Sequence, residues 1–201
     1  MATIQSVNRG RPKTLVRQQV LDVATKVYWE QGPERVSLSE VCVNAQVSRP
    51  SLYREFGNED GLLAASLMNY HERVFKPFFK ILADIGPMEQ VLTKFVDKMT
   101  GGTGPRGHPD GCLLVKTRSA IDSVGPQSRA AAIEIHDWKI ASYTSWLEDC
   151  QANGSLKNKQ EAGFLAAYLD AQLNLTMVRD ARGDDRELSR RILWLALRQL
   201  S

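Results

Sequence analysis

VSLSEVCVNAQVSRPSLYREFGNEDGLL, residues 36–63, carries three helix starts in close succession. Ser37-Leu38-Ser39-Glu40 is a capping box. The serine hydroxyl can accept from the backbone at Glu40, and the Glu40 carboxylate can reach back. A short helix is expected over 38–45, and Gln46-Val47 then makes a tight turn. Ser48 is a second N-cap, with Pro50 in the first turn of the helix it opens, where a missing N–H costs nothing. That helix, 49–56, stops at Gly57. Asn58 is a third cap. Glu59 and Asp60 follow it in a first turn, where negative charge suits the helix dipole. The fourth helix is expected from 59 to near 82.

Working outward, a longer helix precedes this stretch. Val16, Val20, Leu21, Ala24, Val27 and Tyr28 recur at three- and four-residue spacing, and Gly32-Pro33 ends the stripe. Two short helices joined by a turn and braced by a longer one form a helix-turn-helix arrangement. The third helix is polar on one side, where Ser48, Arg49, Ser51, Tyr53 and Arg54 can point outward. Leu52 and Phe56 can pack on Val41, Val47 and the first helix. Met1 to Pro12 reads as a polar arm carrying Arg9 and Arg11.

Strand signals are poor and breakers fall at regular intervals, so the chain is expected to be all-α. Helices are expected at 87–100, 112–124, 126–152, 156–181 and from 184 or 185 to 200, with a loop at 101–111 rich in glycine. The length of 201 residues and 43% hydrophobic content allow one sizeable core or two small ones. No apolar run reaches the ~18 residues of a membrane span. The N-terminus lacks the apolar core of a signal peptide, so the expected address is the cytoplasm, with no membrane partner. Cys42, Cys112 and Cys150 are far apart, as are the three histidines. Neither a disulfide framework nor a metal site is expected, and no cofactor.

Charge is unevenly placed. Residues 1–57 hold eight Lys and Arg against five acids, while the rest of the chain is balanced. An excess of positive charge at one end points toward a polyanion.

The ordered string from Val36 to Leu63, extended back through Gly32, the first helix and Gly10-Arg11-Pro12, resembles the tetracycline-repressor (TetR) family of regulators. The resemblance covers about 60 residues. It implies an N-terminal helix-turn-helix DNA-binding domain over 1–58 and a helical ligand-binding and dimerization domain over 59–201. The implied function is a repressor that binds double-stranded, palindromic operator DNA as a homodimer and is released by a small-molecule or thiol-reactive effector. Arg is the commonest reader of guanine in the major groove, which makes Arg49 the first candidate for a base contact. Arg54 is assigned to bases or phosphates. Ser37, Ser48 and Tyr53 match positions that hold the phosphate backbone, and Pro50 and Ser51 complete the face. Arg9 and Arg11 would reach the minor groove or phosphates. Competing readings are helix capping for the serines, a core role for Tyr53, and a solvated tail for the arm. The family often places a phosphate-contacting Lys where this chain has Glu59, so that contact is expected to be missing.

In the C-terminal part the resemblance makes the last two helices the dimer interface. Leu165, Leu169 and Leu173 are expected on one, and Ile192, Leu195 and Ala196 on the other. Expected effector contacts are Phe95, Met99, Cys112, Leu113, Trp138, Trp146, Phe164 and Tyr168, with Tyr143 also considered. The plainer reading of each aromatic is ordinary core. Gly111-Cys112-Leu113-Leu114-Val115-Lys116 is similar to a segment in one branch of the family, where some relatives sense electrophiles or oxidants through a cysteine. The alternative for Cys112 is a small buried hydrophobe. Two other classes of function stay open on the sequence: an enzyme built on the helical bundle, for which no catalytic motif is visible, and an interaction adaptor that has lost DNA affinity.

Overall fold

A computed structural model describes residues 13–84, 86–101 and 108–200. Arg9 and Arg11 lie outside the described residues, as does most of the expected 101–111 loop. Every regular element among the described residues is helical. The first three are α1 (Lys13–Gln31), α2 (Leu38–Ala45) and α3 (Arg49–Phe56). The Ser37 hydroxyl accepts from the Glu40 N–H at 3.2 Å and the Ser48 hydroxyl from Ser51 N–H at 3.4 Å. Only half of the capping box forms, because the Glu40 carboxylate accepts from the Gln31 side chain on α1 instead. The turn between α2 and α3 rests on Gln46, which is left-handed at φ 54°.

α4 (Glu59–Tyr70) starts at Asn58, whose Oδ1 accepts from Gly61 N–H at 2.7 Å. The expected single helix to residue 82 is interrupted. A π-helical turn, His71–Phe75, leads into α5 (Lys76–Phe79) and a 3-10 turn, Lys80–Ala83. Pro77 is the cause: it has no N–H for the Arg73 carbonyl, and its ring crowds that carbonyl. The chain widens, and Lys76 N–H bonds five residues back to the His71 carbonyl.

The remaining helices are α6 (Met88–Thr100), α7 (Leu113–Ser119), α8 (Pro126–Ala152), α9 (Ala162–Ala181) and α10 (Arg186–Leu197), closed by a 3-10 turn at Arg198–Leu200. α7 is shorter than the expected 112–124, because the chain turns at Ala120–Ser123 to bring α8 alongside. α9 begins at 162 rather than 156. The Gln151 amide donates to the Asn158 and Gln160 carbonyls and holds that stretch as a loop, with Leu156 fully buried beneath it.

α4 packs along both α1 and α8, and α8 packs along α9. The buried side chains form one continuous cluster from Val20 to Leu200, so the expected boundary at residue 58 interrupts no core. The α4–α8 contact has a polar lock at its end. The Asp60 carboxylate accepts from Gln127 N–H at 2.8 Å, Ser128 N–H at 2.9 Å and the Ser128 hydroxyl at 2.6 Å. It therefore caps α8 from another helix. A Cβ on Gly125 would fall 2.3 Å from the Asp60 carboxyl carbon, so only glycine admits the cap. Burial pushes the Asp60 pKa up, but the hydrogen bonds from Ser128 and Gln127 outweigh it and hold the group below its ordinary value.

Candidate nucleic-acid interface and effector cavity

α3 is short, so its packing alternates cleanly. Leu52 and Phe56 are buried, while Ser48, Arg49, Pro50, Tyr53 and Arg54 are exposed. Ser51 is half-buried, and its hydroxyl accepts from that of Ser48 at 3.0 Å. Ser37 is exposed at the start of α2. The Arg49 guanidinium donates to the Ser39 hydroxyl, which holds it on the outer surface. Arg17 of α1 lies over the Phe56 ring, 5.0 Å from its centroid, and adds a cation beside α3. Sequence reasoning assigned no role to Ser39 or Arg17; the four-residue spacing of Arg17 from Lys13 on one face was the available hint. Glu59 is exposed at the start of α4. Its charge adds to the effect of burial on Tyr28, and burial, the larger cause, helps push that phenol up to about 12. Serine hydroxyls, a tyrosine and two arginines on one outward helix suit a polyanionic groove: phosphate contacts position such a helix, and base-edge contacts specify.

A cavity of about 320 Å³ lies between the helices behind this face. The expected lining is only partly brought together. Met99 and Cys112 line it. Phe95 sits behind the wall, its ring 4.2 Å from Phe78. Leu113 and Trp146 are buried in the core outside the lining, and Trp138 packs on His71 and Phe79 at 4.5 and 4.9 Å. Tyr168 instead donates to the Ala196 carbonyl at 2.9 Å, tying α9 to α10. Phe164 is 57% exposed on the outside of α9 and cannot contact a ligand in the cavity.

The wall that sequence reasoning missed comes from Trp29 on α1, Tyr70 at the end of α4, the broken stretch from Arg73 to Phe79, and Lys139 on α8. The aromatic run around Pro77 was the visible signal. A π-turn beside a proline opens a helix where a ligand can enter, and such turns gather at functional sites.

Cys112 is buried at the N-cap of α7, and its sulfur accepts from the Tyr70 hydroxyl at 3.5 Å. Burial, then Cys112 itself, push the Tyr70 phenol well above its usual value. The loop before α7 is bound to α1. Lys116 Nζ donates to the Trp29, Glu30 and Asp110 carbonyls, at 2.5, 3.1 and 3.0 Å. Trp29 Nε1 donates to the Gly111 carbonyl at 3.0 Å, and its ring stacks on His108 at 5.4 Å. Gly111 N–H in turn donates to Asp180 at 2.7 Å. Burial holds the Lys116 pKa below its ordinary value, against the pull of Cys112, Asp110 and Asp180. One residue, Trp29, thus belongs both to the helix bracing α2 and α3 and to the cavity wall.

The dimer expectations divide. Leu165, Leu169 and Leu173 face inward at 3% exposure or less, and Leu173 lines the cavity. α9 is apolar on two faces, and a 3.6-residue period does not say which one faces the core. Its outward ridge is Phe164, Ala167, Ala171 and Leu175. On α10, Ile192 and Leu195 are exposed with Leu188, while Ala196 is half-buried. These adjacent ridges form an exposed apolar strip of the kind that marks an interface.

Residues 20–66 match the family model described as bacterial regulatory proteins, tetR family. The chain is 25% identical over 164 residues to the HTH-type transcriptional repressor ComR of Escherichia coli K12, covering 81% of this chain and 78% of that protein. It is 28% identical over 132 residues to the HTH-type transcriptional repressor BdcR of the same strain, with 66% of each chain covered. Its fold superposes with a TM-score of 0.80, at 22% identity, on a cysteine mutant of the TetR family regulator CifR complexed with 26-bp operator DNA. That match covers 96% of this chain and 100% of the other. No helix among the described residues is long and apolar enough to cross a membrane.

Proposed function

We propose, from the premise that this chain belongs to the tetR family of bacterial regulatory proteins, that it is a transcriptional repressor acting in the cytoplasm by binding rather than catalysis. It binds operator DNA as a homodimer and releases it when a small effector fills the cavity. The observation that carries this reading is the outward face of α3, where Arg49, Tyr53 and Arg54 stand exposed while Leu52 and Phe56 anchor the helix. Arg49 reads a base edge, and Arg54, Tyr53, Ser48 and Ser37 hold phosphates. The second subunit docks on Phe164, Leu175, Leu188, Ile192 and Leu195. Two α9–α10 pairs then form a four-helix bundle and place two α3 helices about one DNA turn, ~34–36 Å, apart.

Release follows from the shared wall. An effector that displaces Trp29 or Tyr70 moves α1 and α4 against the bundle and changes the spacing of the two α3 helices. Such coupling is typically worth ~1–3 kcal/mol and is reciprocal, so operator DNA weakens effector binding by the same factor. The position of Cys112 in the wall extends the reading to thiol-reactive effectors. Maleimide labelling of Cys112 faster than free cysteine at pH 7 supports that extension; equal or slower labelling leaves Cys112 a packing residue.

The decisive experiment is a gel shift on the DNA preceding the chain's own gene, repeated across salt concentrations. A sequence-specific complex whose affinity falls steeply with salt is expected, because phosphate contacts release counterions. Binding that does not distinguish this DNA from random duplex would remove the regulator reading.

A further inference from the structure

The cavity has an uneven charge distribution. Its walls are aromatic and aliphatic, built chiefly from Trp29, Phe75, Phe78, Phe79, Leu173 and Met177. Its charged lining residues among those described are Arg73, Lys98 and Lys139, with no carboxylate. Arg73 and Lys98 are exposed at the mouth, and Arg73 is paired with Asp22 at 2.9 Å. Lys139 lies deep, only 4% exposed. Its ammonium meets Asp170 at 2.6 Å and donates to Asn174 Oδ1 at 3.2 Å. An ammonium has three donors, so one remains for the cavity. Asp170 spreads its charge further, accepting from Asn174 Nδ2 at 2.8 Å. One turn along α8 from Lys139, Tyr143 also lines the cavity, and its hydroxyl makes no hydrogen bond among the described residues. Residues four apart lie side by side on a helix face. Two unspent donors therefore sit together at the deep end of an apolar chamber.

We infer that the effector is a small aromatic carboxylate, its ring between the phenylalanines of the broken helix and its carboxylate on Lys139 Nζ and the Tyr143 hydroxyl. Two oxygens match two donors. The Lys139–Asp170 pair is neutral and Arg73 is paired, so Lys98 at the mouth supplies the surplus positive charge that draws in one negative charge. A dianion such as a phosphate monoester would leave charge uncompensated in an apolar site, and a cation would be repelled by the unpaired surplus of Lys98 and by the donors that Lys139 and Tyr143 turn to the cavity. The volume lies near the lower end of ligand pockets, about 300–1,000 Å³, and suits one or two rings. This inference rests on reading the cavity as the effector site.

The test uses calorimetric titration of the full-length protein, without DNA, with 2-naphthoate, 2-naphthamide and 2-naphthylmethylammonium. Naphthoate is expected to bind roughly tenfold or more tightly than the amide, the gain of a charge-assisted hydrogen bond, and the ammonium not to bind. Tyr143→Phe is expected to weaken naphthoate several-fold and the amide by less, because the amide is uncharged and has a single acceptor oxygen that can rest on Lys139. Lys139→Met alone would strand a buried carboxylate, so it is paired with Asp170→Leu. In that double variant the preference for naphthoate over the amide is expected to vanish. Equal affinity of wild type for naphthoate and naphthamide, no binding of either, or a Tyr143→Phe variant that keeps the full preference would overturn the inference. Failure of the operator gel shift with the naphthoate preference intact would remove the regulator reading and leave the ligand class. The reverse pattern would do the opposite.

Discussion

Around α3 the residues that pack and the residues that point outward are neighbours in sequence, held by caps three residues away. Around the cavity the wall is drawn from Trp29, Tyr70, Phe78, Met99, Cys112, Tyr143 and Met177, spread over most of the chain. The first region is specified by local hydrogen bonds and a two-sided short helix. The second exists only once distant helices have packed. A surface of the first kind tolerates change in the bundle, whereas a cavity of the second kind is sensitive to any shift in helix packing. That sensitivity is what an effector site requires.

The most severe way to break this comparison is to damage the helix both regions share. Leu67 on α4 is fully buried. Leu67→Ala is expected to cost about 2–5 kcal/mol through lost burial and a cavity. Because α4 packs on α1 and α8 alike, a single thermal transition should persist at lower temperature, monitored by circular dichroism. Two separated transitions would show that the regions fold independently.

A cleaner cut separates them. Arg49→Ala removes an exposed side chain whose partner among the described residues is the Ser39 hydroxyl. Operator affinity should fall by about 1–3 kcal/mol, with relaxed preference at one base pair in each half-site. Thermal stability and naphthoate binding should stay unchanged, as read by melting and calorimetry.

Asp60 links the two regions electrostatically. Asp60→Ala removes a cap from α8 and is expected to cost about 0.5–2 kcal/mol. The folded-state pKa is depressed. Its stabilisation is therefore full above the unfolded carboxylate value, about 3.9, and is lost as pH falls below that through the folded pKa. Urea midpoints should differ most between wild type and variant near neutrality and converge in acid. A difference that persists at low pH would mean the side chain acts by packing alone.

Lys116 tests the coupling rather than either region. Lys116→Met keeps the apolar stem and removes the donor to the α1 carbonyls. The ratio of operator affinities with and without effector should shrink by about 0.5–2 kcal/mol. Operator affinity without effector should change less than this ratio. An unchanged ratio would place the coupling elsewhere, with the Asp60 cap the next candidate.

The same local-versus-distant contrast explains what was legible beforehand. The three caps at Ser37, Ser48 and Asn58 are short-range chemistry, so the bounds of α2 and α3 could be read directly, as could the exposure of Ser48, Arg49, Tyr53 and Arg54, though not the half-burial of Ser51. For α9 the sequence offered two apolar faces, and only tertiary packing buries Leu165, Leu169 and Leu173 and leaves Phe164 and Leu175 outside. The break after Tyr70 had its signal in Pro77, but its consequence, an opening lined by Phe75 and Phe79, depends on where α8 runs. Lys139 has no local signal in the sequence, because its setting depends on α9 bringing Asp170 and Asn174 against it.

The smallest effect expected lies in the turn itself. Gln46 is the one described non-glycine residue with positive φ. A side chain in the left-handed region is strained by its Cβ, a cost glycine avoids but offsets in part through greater freedom in the unfolded chain. Its N–H bonds the Val43 carbonyl at 3.2 Å, and Val47 N–H bonds Cys42 at 3.0 Å, so the backbone hydrogen bonds of the turn survive any substitution that keeps this geometry. Gln46→Gly should raise stability by about 0.4–1 kcal/mol, a shift of a few degrees. Gln46→Val should lower stability by more than that, because a β-branched side chain fits this region poorly. Operator affinity of the glycine variant should match wild type in the gel shift. If it falls despite higher stability, the Gln46 side chain itself touches DNA, and the reading face extends from α3 into the turn.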